Sequence, residues 1–221
     1  MFRRRLEEAS DWLLTQEENL ERNERDYKVK GAAQVHAQLQ AFLTQGGGAG
    51  TKLNIQPQKD LNLLNWQIVD GLNTLVNIHP EVFRSALTAL WAQPLDPRHA
   101  EGFWSTLDAA LDALSATQRK HFSGLGTRAS VASSFLCLAD PLGHPFYRPS
   151  FGGKTVEWLY DKKDGLERTI GHLLTDDVGR CRSLHRQFQD VGLLLRDMLD
   201  TQSALYILSD QYLDIARPKK K

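Results

Sequence analysis

The sequence predicts an all-α protein, a multi-helix domain preceded by a long N-terminal helical segment. Apolar residues recur every three or four positions along most of the 221-residue chain, as they do on the buried face of a helix. Runs that alternate apolar and polar residues, which are typical of half-buried strands, are nearly absent. Two segments rich in glycine or proline interrupt the helical pattern. Together these observations predict about eight helices.

The N-terminal segment, residues 1–46, is predicted to hold two helices. In the first, Leu13 and Leu20 lie on a thin apolar stripe within an otherwise charged sequence. A stripe this narrow predicts a long, loosely packed helix with most of its surface in water. A second stripe, between residues 32 and 43, ends at "QGGGAG", because a glycine run stops a helix. Residues 47–60 are therefore predicted to be a glycine-rich linker.

The main helical domain is predicted over residues 61–216. Helical periodicity resumes in "LNLLNWQIVDGLNTLVNI", and "HPEVFRSALTALW" places a proline at the first helical position, which suits a helix start. The pattern continues through "PRHAEGFWSTLDAALDAL" and "TRASVASSFLCLA". The next segment, "PLGHPFYRPSFGG", has three prolines and three glycines and cannot be a regular element. It is predicted to be an ordered loop, because its aromatic residues are unfavourable in water.

The last third of the chain is predicted to hold a short helix near residues 154–162 and a long helix after it. Apolar residues between Leu184 and Leu205 keep the spacing of one helix face. Gln202 falls on that face, and a polar residue in such a position needs a hydrogen-bonding partner. The chain ends in "ARPKKK", so residues 217–221 are predicted to form a basic tail.

The overall charge is balanced, with 27 lysines and arginines against 27 aspartates and glutamates. This balance excludes a global basic field that would draw the chain onto nucleic acid or an anionic membrane. Cys137 and Cys181 are far apart and fit no disulfide framework, which favours a reducing compartment. The N-terminus lacks the apolar core of a signal peptide, and no apolar run is long enough to span a membrane. We expect a soluble, cytoplasmic protein.

The stretch "PSFGGKTVEW" ends as a phosphate-binding P-loop does, with Gly153, Lys154 and Thr155. A P-loop also needs a glycine five residues before this ending, so that backbone N–H groups can surround the phosphates, but that position is Arg148. We therefore expect no nucleotide hydrolysis. A helix that begins at residues 153–155 would still direct free N–H groups at an anion. Arg148, Lys154 and Thr155 are accordingly candidate binding residues for a phosphate or a carboxylate.

The sequence offers no other complete catalytic or metal constellation. Cys181 and His185 lie one helical turn apart, but a structural zinc site needs four ligands. Asp140 and the "DKK" of residues 161–163 resemble parts of a metal-dependent nuclease, which presents its carboxylates on a sheet. No "GxSxG" motif surrounds a serine nucleophile. We expect no enzymatic activity, no cofactor and no bound metal.

Two features are candidate binding surfaces. Prolines in the loop would hold Tyr147 and Arg148 in one arrangement, in which a ring and a guanidinium could face a base, a phosphate or a carboxylate. The alternative is that the loop's aromatic residues only pack into the core. On the thin N-terminal stripe, Trp12, Leu13 and Leu20 need an apolar cover, and a protein partner could supply it.

Three stretches together resemble a known family. They are "LNLLNWQIVDGLNTL", "GTRASVASSFLCLADPLGHPFYRP" and "LRDMLDTQSALYIL", and they fall within residues 61–208. These stretches are similar to the segments that precede the motor in McrB-like AAA+ NTPases of modification-dependent restriction and related anti-phage defence systems. The resemblance implies a recognition or adaptor region for a ring-forming motor that works with a nuclease partner. It carries over no catalytic residue, so either a motor lies beyond this chain or the chain acts by binding alone.

The sequence therefore predicts a non-catalytic adaptor or recognition protein of a restriction-like defence complex, which docks an AAA+ motor or a nuclease subunit. The alternative is a nucleic-acid-binding module that contacts DNA or RNA weakly and electrostatically. Arg3, Arg4, Arg5 and the basic tail favour the alternative. Balanced charge and the lack of a stripe of arginines and aromatic residues favour the adaptor.

Overall fold

The computed structural model describes residues 1–45, 53–55, 61, 63–161 and 169–216. The all-α class is confirmed, because these residues lie mainly in helices and contain no strand. Among the described helices, none joins enough length to enough apolar character for a membrane crossing. Most of the predicted linker and the whole basic tail lie outside the described residues, so both assignments stay predictions.

The helices follow one another along the chain as α1 (Phe2–Leu14), α2 (Asp26–Gln45), α3 (Trp66–Ile78), α4 (Pro80–Leu90), α5 (Ala100–Asp108), α6 (Ala116–Lys120), α7 (Leu125–Ala139), α8 (Pro149–Tyr160), α9 (Ile170–Asp190), α10 (Met198–Ile207) and α11 (Leu213–Ala216). Two wider, π-helical turns join neighbouring helices, at Asn19–Arg25 before α2 and at Leu208–Tyr212 after α10. Short 3₁₀ turns occur at Pro97–His99 and Leu111–Ala113.

Polar side chains fix where several helices begin. At the start of α6, Ser115 and Gln118 form a capping box, in which each side chain bonds the backbone N–H of the other residue. At the start of α10, Asp197 accepts hydrogen bonds from the backbone N–H groups of Leu199 and Asp200. Such caps satisfy N–H groups that have no partner within the helix.

Several predicted helix boundaries were wrong, among them the end of the first helix, since α1 ends at Leu14 and does not reach Leu20. Helix α8 begins at Pro149 rather than near residue 154, because proline suits the first turn, where a helical N–H has no partner. The long helix predicted across residues 184–205 is two helices, since α9 ends at Asp190. Gly192 then has a φ of 92°, a conformation that is easy only for glycine. The apolar spacing continues across the break because the connecting loop also buries leucines.

The described residues bury two hydrophobic cores. The first core lies among α2, α3, α4, α5, α7 and the beginning of α9. A series of contacting aromatic rings runs through it: Phe42, Phe83, Phe135, Phe103, Trp104 and Phe122. The second core lies among α1, α8, the rest of α9, α10 and the chain that follows α10. Because aromatic rings bury a large apolar area, we expect the first core to contribute the most to stability.

The two helices of the N-terminal segment belong to different cores. Leu6 and Leu13 of α1 are no more than 2% exposed and pack in the second core. Val35 and Leu39 of α2 are fully buried in the first core. The stripe on α1 is thin, as the sequence predicts, yet Leu6 and Leu13 on it are almost completely covered. The N-terminal segment is thus a part of both cores.

Candidate binding surface

The proline-rich loop between α7 and α8, residues 140–148, is ordered by its own side chains at its start. The Asp140 carboxylate accepts a hydrogen bond from the backbone N–H of Gly143 at 3.0 Å. Its second oxygen lies 3.2 Å from Nδ1 of His144, whose side chain is largely buried. These contacts form a tight turn directly after α7, which is how an aspartate before proline commonly acts.

Side chains of two helices hold the remainder of the loop. Gln202 of α10 accepts a hydrogen bond from the backbone N–H of Phe146 at 2.7 Å. Ser133 of α7 accepts one from the backbone N–H of Tyr147 at 3.0 Å. Gln202 is the polar residue that the sequence places on an apolar helix face, and the loop backbone is the partner that it needs. The prediction of an ordered loop is confirmed for residues 141–148, whereas residues 149–153 belong to α8.

The loop packs its aromatic residues into the molecule. Phe146 is only 4% exposed, and the half-buried Tyr147 packs against the first core. The Arg148 guanidinium lies over the Phe146 ring, with its carbon 6.0 Å from the ring centroid. The alternative in which loop aromatic residues fill the core is therefore confirmed for Phe146. Tyr147 and Arg148 keep part of their surface in solvent and stay candidate binding residues.

Lys154 and Thr155 do not lie at a helix N-terminus, so the anion site predicted at residues 153–155 is wrong. Because α8 begins at Pro149, both residues lie beyond the first four positions, whose N–H groups are free of intrahelical bonds. Thr155 is fully buried, and its hydroxyl donates to the backbone carbonyl of Leu205 at 2.9 Å. Lys154 is exposed on the helix surface. The two residues therefore do not form a shared site.

The residues predicted to dock a partner are covered mainly by the chain itself. Leu13 is fully buried in the second core, so the prediction that a partner must cover it is wrong. Trp12 is half-buried and packs against Tyr212, with ring centroids 5.2 Å apart. Leu20 packs on the same core and keeps part of its surface exposed. The sequence did not reveal this cover, because it comes from the opposite end of the chain.

The two thiols are poorly suited to act as nucleophiles. Burial raises the pKa of Cys137 to about 12, and it also raises the pKa of Cys181 well above the ordinary value. Since the thiolate is the reactive form, both residues are inert near neutral pH. His185, one turn after Cys181, instead contacts the Thr201 hydroxyl, with 2.9 Å between Nδ1 and Oγ1. No group of three or more potential metal ligands occurs among the residues that the structure describes.

A cluster of paired charges, three of them largely buried, lies where the π-helical turn before α2 meets the start of α10. Arg25 donates to Asp197 at 2.7 and 3.0 Å and to Asp200 at 2.7 Å. The side chains of these three residues are no more than 14% exposed. Arg196 donates to the other oxygen of Asp200 at 2.8 Å and also pairs with Glu21. We call these five residues the arginine–carboxylate cluster.

The charges within the arginine–carboxylate cluster satisfy one another. Burial alone would raise the pKa of Asp200, but hydrogen bonds from Arg196 and Arg25 outweigh it and hold that pKa below its usual range. A hydrogen bond to Asp197 raises the pKa of Arg25, although burial opposes this shift. These shifts keep Arg25 and Asp200 charged at neutral pH, which suits a structural clamp better than acid–base chemistry. The sequence does not reveal the cluster, because Arg25 and Asp197 are 172 positions apart.

Replacing Gln202 by leucine is expected to lower the free energy of unfolding by about 1–3 kcal/mol, because the N–H of Phe146 would lose its acceptor. Urea unfolding followed by circular dichroism measures the change. Gln34→Leu is the matched control, since Gln34 is an exposed residue of α2. That control should change stability by less than about 0.5 kcal/mol. Equal stabilities of the two variants would show that this bond does not hold the loop.

The described residues thus contain candidate binding residues and a cluster of paired charges. The two thiols among them are buried. The exposed residues that could contact a partner lie on the loop between α7 and α8 and on helix surfaces. The resemblance to McrB-like NTPases stays a prediction. No protein-family model, curated protein or solved structure matches the chain.

Proposed function

We propose that the chain is a non-catalytic adaptor that docks a protein partner, an AAA+ motor or a nuclease subunit of a restriction-like defence complex. Its setting would be the cytoplasm, where the two free cysteines stay reduced. We choose a protein partner over nucleic acid mainly because positive and negative side chains of this chain pair with one another. Most arginines of the described residues already contact carboxylates of the same chain.

This pairing weakens the case for nucleic acid at the N-terminus. Arg3 and Arg4 bond Glu7 and Glu8, one turn later, at 3.0 and 2.8 Å. Arg5 donates to the backbone carbonyl of Trp158. A phosphate that approached these arginines would meet two carboxylates beside them. Affinity for nucleic acid depends on the number of phosphates that free cations neutralise. We therefore expect the N-terminal end to bind nucleic acid weakly.

Large apolar side chains at the surface favour a protein partner. Trp66 is 72% exposed at the beginning of α3, and Leu194 is 84% exposed in the loop between α9 and α10. Tryptophan is among the residues that contribute the most to protein–protein binding, because its ring buries a large area at small entropic cost. Single exposed apolar residues are common on protein surfaces, so the pairing of charges remains the main support for the proposal.

Co-expression tests the adaptor function. The full chain is produced together with the proteins encoded by the genes beside its own, and complexes are separated by size-exclusion chromatography. We expect the chain to elute with a motor or nuclease subunit as a complex of defined composition. The chain by itself should not hydrolyse ATP or GTP with Mg²⁺ above the level of a Lys154→Ala variant.

The alternative is a nucleic-acid-binding module, favoured by the basic tail, which lies outside the described residues. Its contacts should be weak and should decline steeply with salt, because they would be electrostatic. Fluorescence anisotropy with labelled DNA and RNA at increasing salt measures this. Tight, salt-resistant and sequence-selective DNA binding by the chain alone would overturn the adaptor in favour of the alternative.

A further inference from the structure

Two arginines of α9 form no ion pair with a carboxylate. Arg182 and Arg186 are exposed, and among the arginines that the structure describes they alone form no hydrogen bond, ion pair or ring contact. Asp190 lies one turn beyond Arg186 without pairing with it. Because the two arginines are four residues apart in one helix, their Cβ atoms lie about 5–6 Å apart on one face.

The helix surface beside these arginines is open. One turn before Arg182, Gly179 is exposed, and a Cβ atom added to it would have no neighbour within 4 Å. Glycine weakens the interior of a helix, and no contact within the described part of the chain requires it at this position. A glycine on an exposed face lets the backbone of a second helix approach closely.

An aromatic pair lies beside α9, about 100° around the helix from Arg186. Tyr160 of α8 stacks on Phe2 of α1 with ring centroids 4.6 Å apart. The Tyr160 hydroxyl lies 3.3 Å from the side-chain oxygen of Gln187, the residue after Arg186. Tyr160 keeps 38% of its surface exposed. Arginine and tyrosine together are enriched in protein–protein interfaces, where carboxylates and lysines are depleted.

We propose that the face of α9 formed by Gly179, Arg182 and Arg186 docks an acidic helical segment of the protein partner. This proposal rests on the adaptor function proposed above. Unpaired guanidinium groups bind carboxylates with two parallel hydrogen bonds, and carboxylates four residues apart on a partner helix would match their spacing. Two cations neutralise too few phosphates for firm nucleic-acid binding, so a protein is the better occupant.

The test measures binding of fluorescently labelled poly-L-glutamate to the full chain. We expect the double variant Arg182→Gln/Arg186→Gln to bind about tenfold more weakly than the original chain, as the loss of two exposed ion pairs implies. Arg84→Gln/Arg119→Gln is the matched control, because it removes the same charge from two arginines that already pair with Glu81 and Asp112. The control should bind as the original chain does. Circular dichroism checks that both variants keep their helices.

The following outcomes would contradict the proposed docking face. Equal affinities in the two double variants would show that overall charge, and not this face, attracts the probe. An oligothymidylate that binds more tightly than poly-L-glutamate, and that binds more weakly once Arg182 and Arg186 are replaced, would assign the face to nucleic acid.

Co-expression separates this proposal from the adaptor function. If the original chain and the Arg182→Gln/Arg186→Gln variant both capture the partner, the docking face is wrong and the adaptor function stands. If neither captures a partner, the adaptor function itself fails.

Discussion

Removal of residues 1–45 is expected to unfold the chain. The removed residues include Leu6 and Leu13 of the second core and Val35 and Leu39 of the first, all of them no more than 2% exposed. Burial of one such side chain contributes about 1.5–3 kcal/mol, and the net stability of a domain is only about 5–15 kcal/mol. The burial free energy lost with these two helices therefore exceeds the net stability of the domain. Circular dichroism during heating should show reduced helicity and no cooperative transition.

The full chain, purified in the same way, is the control for this truncation. A truncated chain that kept native helicity and unfolded cooperatively would show that neither core depends on α1 and α2. Because both helices are buried against the rest of the chain, their removal cannot separate partner binding from folding. Partner contacts are better mapped with surface variants such as those at Arg182 and Arg186.

Replacing Arg25 by alanine is expected to lower the free energy of unfolding by about 3–5 kcal/mol. The substitution would leave the buried Asp197 carboxylate without its arginine and would take from Asp200 one of the two arginines that pair with it. Arg22→Ala is the matched control from the same π-helical turn, because Arg22 pairs with Glu18 at the surface, where both side chains are more than 70% exposed. That exposed pair should contribute less than about 1 kcal/mol. Urea unfolding of both variants measures the difference.

The effect of Arg25→Ala should also depend on pH. The folded state holds the pKa of Asp200 below its usual range, so this group contributes stability at neutral pH and loses it as the pH falls through that lowered pKa. The difference in stability between the original chain and Arg25→Ala should therefore narrow in acid. Equal effects of Arg22→Ala and Arg25→Ala, or a difference that widens in acid, would show that the cluster does not clamp the π-helical turn to α10.

Most of the helices could be predicted from the sequence because they bury one face, and burial of one face leaves an apolar period of three to four residues. The same signal missed the end of α9 at Asp190, since the loop that follows buries Leu193 and Leu195 and so continues the apolar spacing. It also placed the start of α8 too late. Glycines at residues 152 and 153 suggested a loop, although Pro149 already begins the helix.

The candidate site could be predicted only in part. The local sequence identified the loop of Tyr147 and Arg148 from its prolines. It also showed that Gln202 needs a partner, because its spacing places it on an apolar helix face. It could not assign the cover of Leu13 or the partners of Arg25, which depend on contacts between the two ends of the chain. The open face of α9 was also missed, since a sequence does not show which of its many arginines lack a carboxylate.

The division of α1 and α2 between the two cores has a consequence for synthesis on the ribosome. Chains are made from the N-terminus, so α2 can pack on the first core while the rest of the chain is still being added. The partners of α1 in the second core include Leu184, Phe188 and Leu205, which are translated much later. Nascent chains arrested before residue 184 should therefore leave α1 open to protease, whereas protection of α1 in such chains would contradict this order. Among the described helices, α1 is made first and gains its partners only when α9 and α10 have been made.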